Sequence, residues 1–211
     1  MTDIQLLALI AVFLMASVIS VITGSTSLIT VPIMLYFGIE PRVALATNMF
    51  ALTLMSIGGT LPFIGKGVID YRRLPLLIVL TLISSILGAS LVLVIPSKSM
   101  PLIISISMIV VAVLSVANRN AGLAPSQIIP SKVAEITGYI ATFLLGIYGG
   151  FFSGGYVTLL TAAYIMLFGM TFVQAIATTK FINIFSSLSA TVIFITQGVV
   201  DYKLGIILGI A

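Results

Sequence analysis

The chain has 211 residues, of which 60% are apolar and 7% charged, with a formal net charge of +4 and a mean hydropathy of +1.33. Soluble domains carry about 25% charged residues, so this chain has too little polar side chain to coat a water-facing surface, which excludes a soluble enzyme, a disordered chain and, with only nine cations, a nucleic-acid binder. The absence of Cys and His excludes a disulfide framework, a Cys/His zinc or haem site and Ser-His or Cys-His catalysis. What remains is an all-α integral membrane protein with the lipid bilayer as solvent and partner, and with no cofactor expected.

Cutting the chain at its charges leaves uncharged runs at 4–39, 43–65, 74–97, 99–118, 136–179, 181–200 and 204–211. A spanning helix needs about 20 apolar residues, and 43–65, 74–97, 99–118 and 181–200 each fit one span. The N-terminal run has no cationic segment before it and is too long for a signal peptide, so it reads as a retained helix. Runs 4–39 and 136–179 are too long for one crossing at about 1.5 Å per residue and must break inside. The break in the first falls at Gly24, Ser25, Thr26 and Ser27. In the second it falls among Gly149, Gly150, Ser153, Gly154 and Gly155. Each break is followed by a short apolar piece, about 26–38 and 156–169. Each piece ends at Phe-Gly, which suits a left-handed helix C-terminus. A full helix followed by a half-length one predicts a broken or re-entrant pair.

The chain also repeats itself. Shifted by 131 residues, Gly24–Tyr71 aligns without a gap on Gly155–Tyr202, with 17 of 48 positions identical, against about 4 expected by chance at this composition. The strongest matches are Gly67-Val68-Ile69-Asp70-Tyr71 with Gly198-Val199-Val200-Asp201-Tyr202, and Ala44-Leu45-Ala46-Thr47 with Ala175-Ile176-Ala177-Thr178. The expected organisation is a first transmembrane repeat over 1–118, a polar linker over 119–132 and a second repeat over 133–211. The second copy ends at the counterpart of Leu80, so it reads as incomplete and the chain as a shortened form of a longer parent. Lys66, Arg72, Arg73, Arg119 and Lys132 fall on one side, which the positive-inside rule assigns to the cytoplasm. Inverted halves follow if each broken pair makes an even number of crossings or a re-entrant hairpin, and parallel halves if it makes one.

Polar residues inside spans are costly in hydrocarbon and mark candidate sites. Gly24 at the first break corresponds to Gly155 at the second, with Ser25 and Gly154 beside them. Thr47 and Asn48, one turn or so into the next helix, correspond to Thr178 and Thr179. Lys180 is the only charge between Ile136 and Val200, and Asn183 lies on its face at i+3. A broken helix exposes amide N–H groups and a partial positive charge, so two facing breaks would form an anion pocket near the midplane. Close helix packing explains single Ser, Thr and Gly residues equally well, and Lys180 could instead extend to the interface. No carboxylate lies deep in a span, which argues against a carboxylate proton relay. Asp70 and Asp201 read as helix caps, and Tyr36, Tyr71 and Tyr202 as interfacial aromatics.

A Gly-rich break, an apolar piece ending in Phe-Gly, then Ala46-Thr47-Asn48 or Ala177-Thr178-Thr179-Lys180, then Gly-Val-x-Asp-Tyr, all twice, resembles the TauE/SafE family of sulfite exporters. The resemblance covers almost the whole chain and implies a multi-pass protein of the bacterial inner membrane. It implies a cargo of small sulfur-containing anions such as sulfite, thiosulfate or sulfoacetate. The site residues expected to bind that anion are Gly24, Ser25, Thr47, Asn48, Gly154, Gly155, Thr178, Thr179, Lys180 and Asn183. The chain is expected to be a secondary transporter working by alternating access and not an enzyme. The rival reading is a membrane assembly factor that moves nothing. The oligomeric state is left open, with a homodimer as the candidate.

Overall fold

The computed structural model describes residues 3–23, 26–117 and 130–210. Among them there are helices and no strands. In chain order the α-helices are α1 (Asp3–Thr23), α2 (Ser27–Tyr36), α3 (Pro41–Thr60), α4 (Leu74–Val94), α5 (Met100–Ala117), α6 (Lys132–Phe151), α7 (Tyr156–Phe168), α8 (Phe172–Thr196) and α9 (Tyr202–Ile210). Five segments are long and apolar enough to cross a membrane: Pro41–Phe63, Leu74–Val94, Ser97–Leu114, Lys132–Phe151 and Phe172–Thr196. The chain is thus an all-α polytopic membrane protein. Most of the linker expected at 119–132 lies outside the described residues. Its last residue, Lys132, already opens α6, with Ser131 as the cap.

Local chemistry sets the helix ends. Glu40 accepts a hydrogen bond from the Val43 N–H and is followed by Pro41, whose missing N–H costs nothing in the first turn. Thr171 and Gln174 form a reciprocal capping box at the start of α8. This box corrects the span expected at 181–200. The helix starts at Phe172 and carries Lys180 in its interior, because a single lysine does not end a helix that is capped nine residues earlier. The helix starts of α3 and α8 likewise put Thr47 and Thr178 nearly two turns in, deeper than expected. Gly38 (φ +80°) and Gly169 (φ +65°) end the short helices in the left-handed conformation expected at Phe-Gly.

The second break falls later than the glycines suggest. α6 continues through Gly149 and Gly150 to Phe151, and the chain turns at Phe152–Gly155. Those two glycines are contact points. A Cβ on Gly149 would sit 2.8 Å from the Tyr156 ring, and one on Gly150 only 2.6 Å from the Ser85 Cα of α4. Small residues let membrane helices approach to this distance. The turn itself holds Ser153 at φ +64° and Gly155 at φ +79°. A left-handed Ser costs about 1 kcal/mol, and the Tyr148 hydroxyl, donating to the Gly154 carbonyl, holds the turn in place.

The two innermost spans are α3 and α8, with 61% and 56% of their apolar windows buried, against 17% for the span containing α5 at the periphery. They pack side by side and antiparallel: Thr53 meets Thr191 (3.3 Å) and Ser56 meets Asn183 (2.8 Å). Farther along, a Cβ on Gly59 would lie 3.6 Å from Lys180 Nζ. α4 packs on α6 and α8, while α9 packs on α3. Three buried apolar clusters fill the spaces between them, centred on Met49 and Phe194, on Tyr164 and Phe168, and on Phe13 and Leu208.

Candidate functional site

A cavity of about 40 Å³ lies between α3 and α8, where the two short helices begin. Its lining is Thr26, Leu52, Met55, Ser56, Val157, Lys180 and Asn183. Thr26 immediately precedes α2 and Val157 is the second residue of α7. Leu52, Met55 and Ser56 fall near the middle of one span, and Lys180 and Asn183 near the middle of the other. The space has room for about three water molecules. In this conformation it suits a small oxyanion and is too small for a sugar or nucleotide.

The electrostatics of this cavity follow from its helix ends. α3, α6 and α8 begin with a side-chain cap, from Glu40, Ser131 and Thr171 respectively. Among the described residues, α2, α4 and α7 have no side-chain cap. The first N–H groups of a helix have no partner within the helix and carry a partial positive charge. Thr26 beside the start of α2 and Val157 in the first turn of α7 both line the cavity, and Lys180 is the only ionisable residue among its described lining. The polar partner that completes it is Asn183, which is 6% exposed. Asn183 donates from Nδ2 to Ser56 Oγ at 2.8 Å, while its Oδ1 is buried and accepts no hydrogen bond.

The structure divides the other expected site residues by role. Lys180 and Asn183 line the cavity. Asn48 lies next to the start of α2 without lining it, donating to Ser27 Oγ (2.9 Å) and accepting from Thr30 (2.7 Å). Thr179 pairs with Thr161 of α7 at 2.9 Å. Thr47 and Thr178 are turned elsewhere. Thr47 Oγ1 accepts the Asp201 N–H at 3.0 Å, and Thr178 Oγ1 accepts the Asp70 N–H at 3.2 Å. They anchor the loops ahead of α9 and α4, and the two bonds link positions 131 apart in both members. Gly155 forms the left-handed start of α7, where a Cβ would overlap Val111 of α5. Gly154 supplies the carbonyl that Tyr148 holds. Gly24 and Ser25 lie outside the described residues. Asp201 caps α9 as expected, accepting from the Leu204 N–H; Asp70 instead holds the turn ahead of α4, accepting from the Arg72 and Arg73 N–H groups, and α4 begins after Arg73 without a side-chain cap.

Sequence reasoning leaves Thr26, Leu52, Met55, Ser56 and Val157 off the site. For Thr26 and Ser56 a signal is present, as polar residues within or beside a span. For the three apolar residues no signal could serve, since they differ in nothing from lipid-facing neighbours.

A second cavity, of about 440 Å³, is lined by Ile69, Asp70, Tyr71, Arg73, Phe168, Gly169, Met170 and Gln174. Arg73 donates to Asp70 (2.6 Å) and to Glu135 at the start of α6 (2.9 Å), and its guanidinium lies 5.1 Å from the centroid of the Phe168 ring. Burial disfavours this charge, but the hydrogen bonds and charges of Asp70 and Glu135 outweigh it and hold the guanidinium above its usual basicity. With two carboxylates on one cation, this cavity is no anion trap. It is a clamp joining the loop before α4 to α6 and α7.

A multi-pass helical protein whose two half-length helices begin at a small, cation-lined cavity in mid-span has the architecture of a membrane transporter. The comparisons with known proteins agree. The sulfite exporter TauE/SafE family matches residues 9–211, and the chain belongs to that family. It is similar to probable membrane transporter protein ORF9 of Sinorhizobium sp, 27% identical over 199 residues, covering 92% of this chain and 74% of the relative. A probable membrane transporter protein of Haemophilus influenzae is 27% identical over 211 residues (97% and 80%). The probable membrane transporter protein YfcA of Escherichia coli is 27% identical over 197 residues (93% and 72%). No solved structure matches the chain significantly.

Proposed function

We propose that this protein is a secondary transporter of small sulfur-containing anions, such as sulfite, thiosulfate or an organic sulfonate, across the bacterial inner membrane. The observation that carries the reading is the mid-span cavity where two helices without side-chain caps begin beside Lys180. A small oxyanion there would be met by helix N-termini and one cation, the combination that favours negative charge. In this reading Asn48 and Thr179 support the site by tying α3 to α2 and α8 to α7, and Thr47 and Thr178 fix the loops ahead of α9 and α4.

Alternating access would come from two related halves, 1–118 and 133–211. Equivalent helices α3 and α8 run antiparallel, and the Thr47–Asp201 and Thr178–Asp70 bonds exchange when one half is laid on the other. Both features favour inverted halves around an axis in the membrane plane, with the site on that axis. The test is uptake of radiolabelled sulfite and thiosulfate into proteoliposomes holding the full chain. Lys180→Ala should abolish saturable flux while the protein still elutes as a folded species. Flux equal to that of the unmodified chain would remove Lys180 from the mechanism. No flux of any small anion, with a second membrane protein co-purifying, would favour an assembly factor.

A further inference from the structure

α4 and α9 each pack in the other half of the chain. By the 131-residue shift, α9 (Tyr202–Ile210) is the counterpart of 71–79, where α4 begins. α4 packs on α6 and α8, and α9 packs on α3 and α1. The loop ahead of each is fastened to the same host. The Asp70 N–H bonds Thr178 of α8, and the Asp201 N–H bonds Thr47 of α3. Arg73 adds its ion pair with Glu135 of α6. The buried cores divide in the same way. The cluster around Tyr164 and Phe168 draws its buried helical members from α4, α7 and α8, and that around Phe13 and Leu208 draws its own from α1, α2, α3 and α9. Two bundles result, α1–α2–α3–α9 and α4–α6–α7–α8.

Close glycine contacts fasten each bundle internally. Where α4 meets α6, a Cβ on Gly88 would collide with the Ile147 carbonyl, and one on Gly146 with the Ser84 hydroxyl. Where α9 meets α3, a Cβ on Gly209 would stand 2.7 Å from Leu54 Cδ1 and 3.3 Å from Ala51 Cα. Helices this close lose dispersion contacts at once when they part. The bundles face one another chiefly along α3 and α8. There a Cβ on Gly59 would meet only the Lys180 amine, at 3.6 Å, and the polar contacts include the side-chain pairs Thr53–Thr191 and Ser56–Asn183. The mid-span cavity lies in this seam. The third cluster, around Met49 and Phe194, spans both bundles, and Arg42 of α3 donates to the Ile95 carbonyl at the end of α4 (2.8 Å). These contacts hold the seam together on the Arg42 side of the cavity.

We propose that these two bundles are the bodies that move against each other in transport, along the α3–α8 seam, with each half of the chain lending one helix to the other's bundle; this rests on the transport reading above. Parting the seam separates side chains and opens the cavity. Parting residues 1–118 from 133–211 would instead pull α4 from α6 and α8, pull α9 from α3, and break both loop bonds. Rigid-body motion uses the interface that can repack and keeps the tightly packed ones intact.

The chain has no Cys, so introduced cysteine pairs report one contact each. Ser85→Cys with Ser186→Cys, whose hydroxyls lie 2.7 Å apart, joins α4 to α8. Leu54→Cys with Gly209→Cys, where a Cβ at 209 would lie 3.1 Å from that of Leu54, joins α3 to α9. Both pairs lie within one bundle yet link the two halves of the chain. Thr53→Cys with Thr191→Cys, whose hydroxyls lie 3.3 Å apart, crosses the seam. Each full-length double variant is reconstituted in proteoliposomes, and flux is measured before oxidation, after it and after reduction, with the disulfide confirmed by mass. The anion is thiosulfate or an organic sulfonate, whichever the unmodified chain carries; sulfite is avoided because it cleaves disulfides. The Thr53/Thr191 disulfide should stop flux, and reduction should restore it. The Ser85/Ser186 and Leu54/Gly209 disulfides should leave flux at the level of the reduced protein. Reversible loss of flux in either of those two would overturn the exchanged bundles and leave the transporter standing. Flux retained with the Thr53/Thr191 disulfide would overturn motion at the seam. Absence of flux in the unmodified chain would overturn the transport reading itself. Each protein is compared with its own reduced form and the two pairs within bundles are independent, so misfolding of one variant does not protect the proposal.

Discussion

Gly150→Ala isolates the contact between α4 and α6 on which the central packing rests. A Cβ at position 150 would stand 2.6 Å from Ser85 Cα and 2.8 Å from its carbonyl carbon. Ordinary contact between carbons begins near 3.5 Å, so the helices must part by about 0.9 Å. The atoms in the way are backbone, so no rotamer change relieves the clash. Overpacking of this kind costs about 1–3 kcal/mol. The parting also strains the Ser85 bonds to Ser186 (2.7 Å) and to the Gly146 carbonyl (3.3 Å), each worth about 1 kcal/mol. Against this, Ala gains at most about 1 kcal/mol of helix propensity. The net loss of about 2–3 kcal/mol corresponds to a melting temperature lower by about 4–12 °C for a chain of this size. Gly58 is the control, since it lies within α3 and a Cβ added there would meet nothing within 4 Å. Gly58→Ala should leave the midpoint unchanged or raise it by a few degrees. Thermal unfolding followed by circular dichroism in micelles reads both, the chain having no Trp for fluorescence. A Gly150→Ala midpoint no lower than that of Gly58→Ala would refute the account of α4–α6 packing.

Lys180→Arg should retain part of the anion flux that Lys180→Ala loses, because the charge persists while the larger, planar head fits the small cavity poorly; equal loss in both would show that size and not charge is limiting. Arg73→Ala should destabilise the fold by about 1–2 kcal/mol, a figure reduced for the part exposure of Glu135. In a double-mutant cycle with Glu135→Ala the two losses should couple by about 1 kcal/mol, and strict additivity would dissolve the clamp. Arg73 stays protonated across physiological pH, so raising pH from 7 to 9 should not release it by deprotonation of the guanidinium. Thr178→Val should speed amide exchange at Asp70 and leave Asp201 unchanged, with Thr47→Val doing the reverse. Both amides speeding up in either variant would mean that the loops open together.

Much of the fold is legible in the sequence because bilayer chemistry writes itself into one dimension. A charge-free run of sufficient length is a span, a Phe-Gly after a short apolar piece is a left-handed helix end, and Asp201 before α9 is a cap. Those features depend on neighbours in the chain. The departures share a cause as well. Lys180 reads as a boundary in sequence, although the capping box at Thr171 and Gln174 starts its helix nine residues earlier. Gly149 and Gly150 read as a break, although their missing side chains serve contacts with Tyr156 and Ser85.

The sequence by itself determined that this is a helical membrane protein of the TauE/SafE family with two short helices set between longer ones. It also marked Lys180 and Asn183 as the polar pair worth locating. Only the tertiary structure decided that these two share a cavity with Ser56 and the start of α2, while Thr47 and Thr178 turn away to hold loops. It also showed that Arg73 joins Asp70 to Glu135, which lies 62 residues beyond Arg73 itself. The reason is physical: a hydroxyl or an apolar side chain reads the same whether it packs, anchors or binds. Its role is set by which distant helix comes to lie against it.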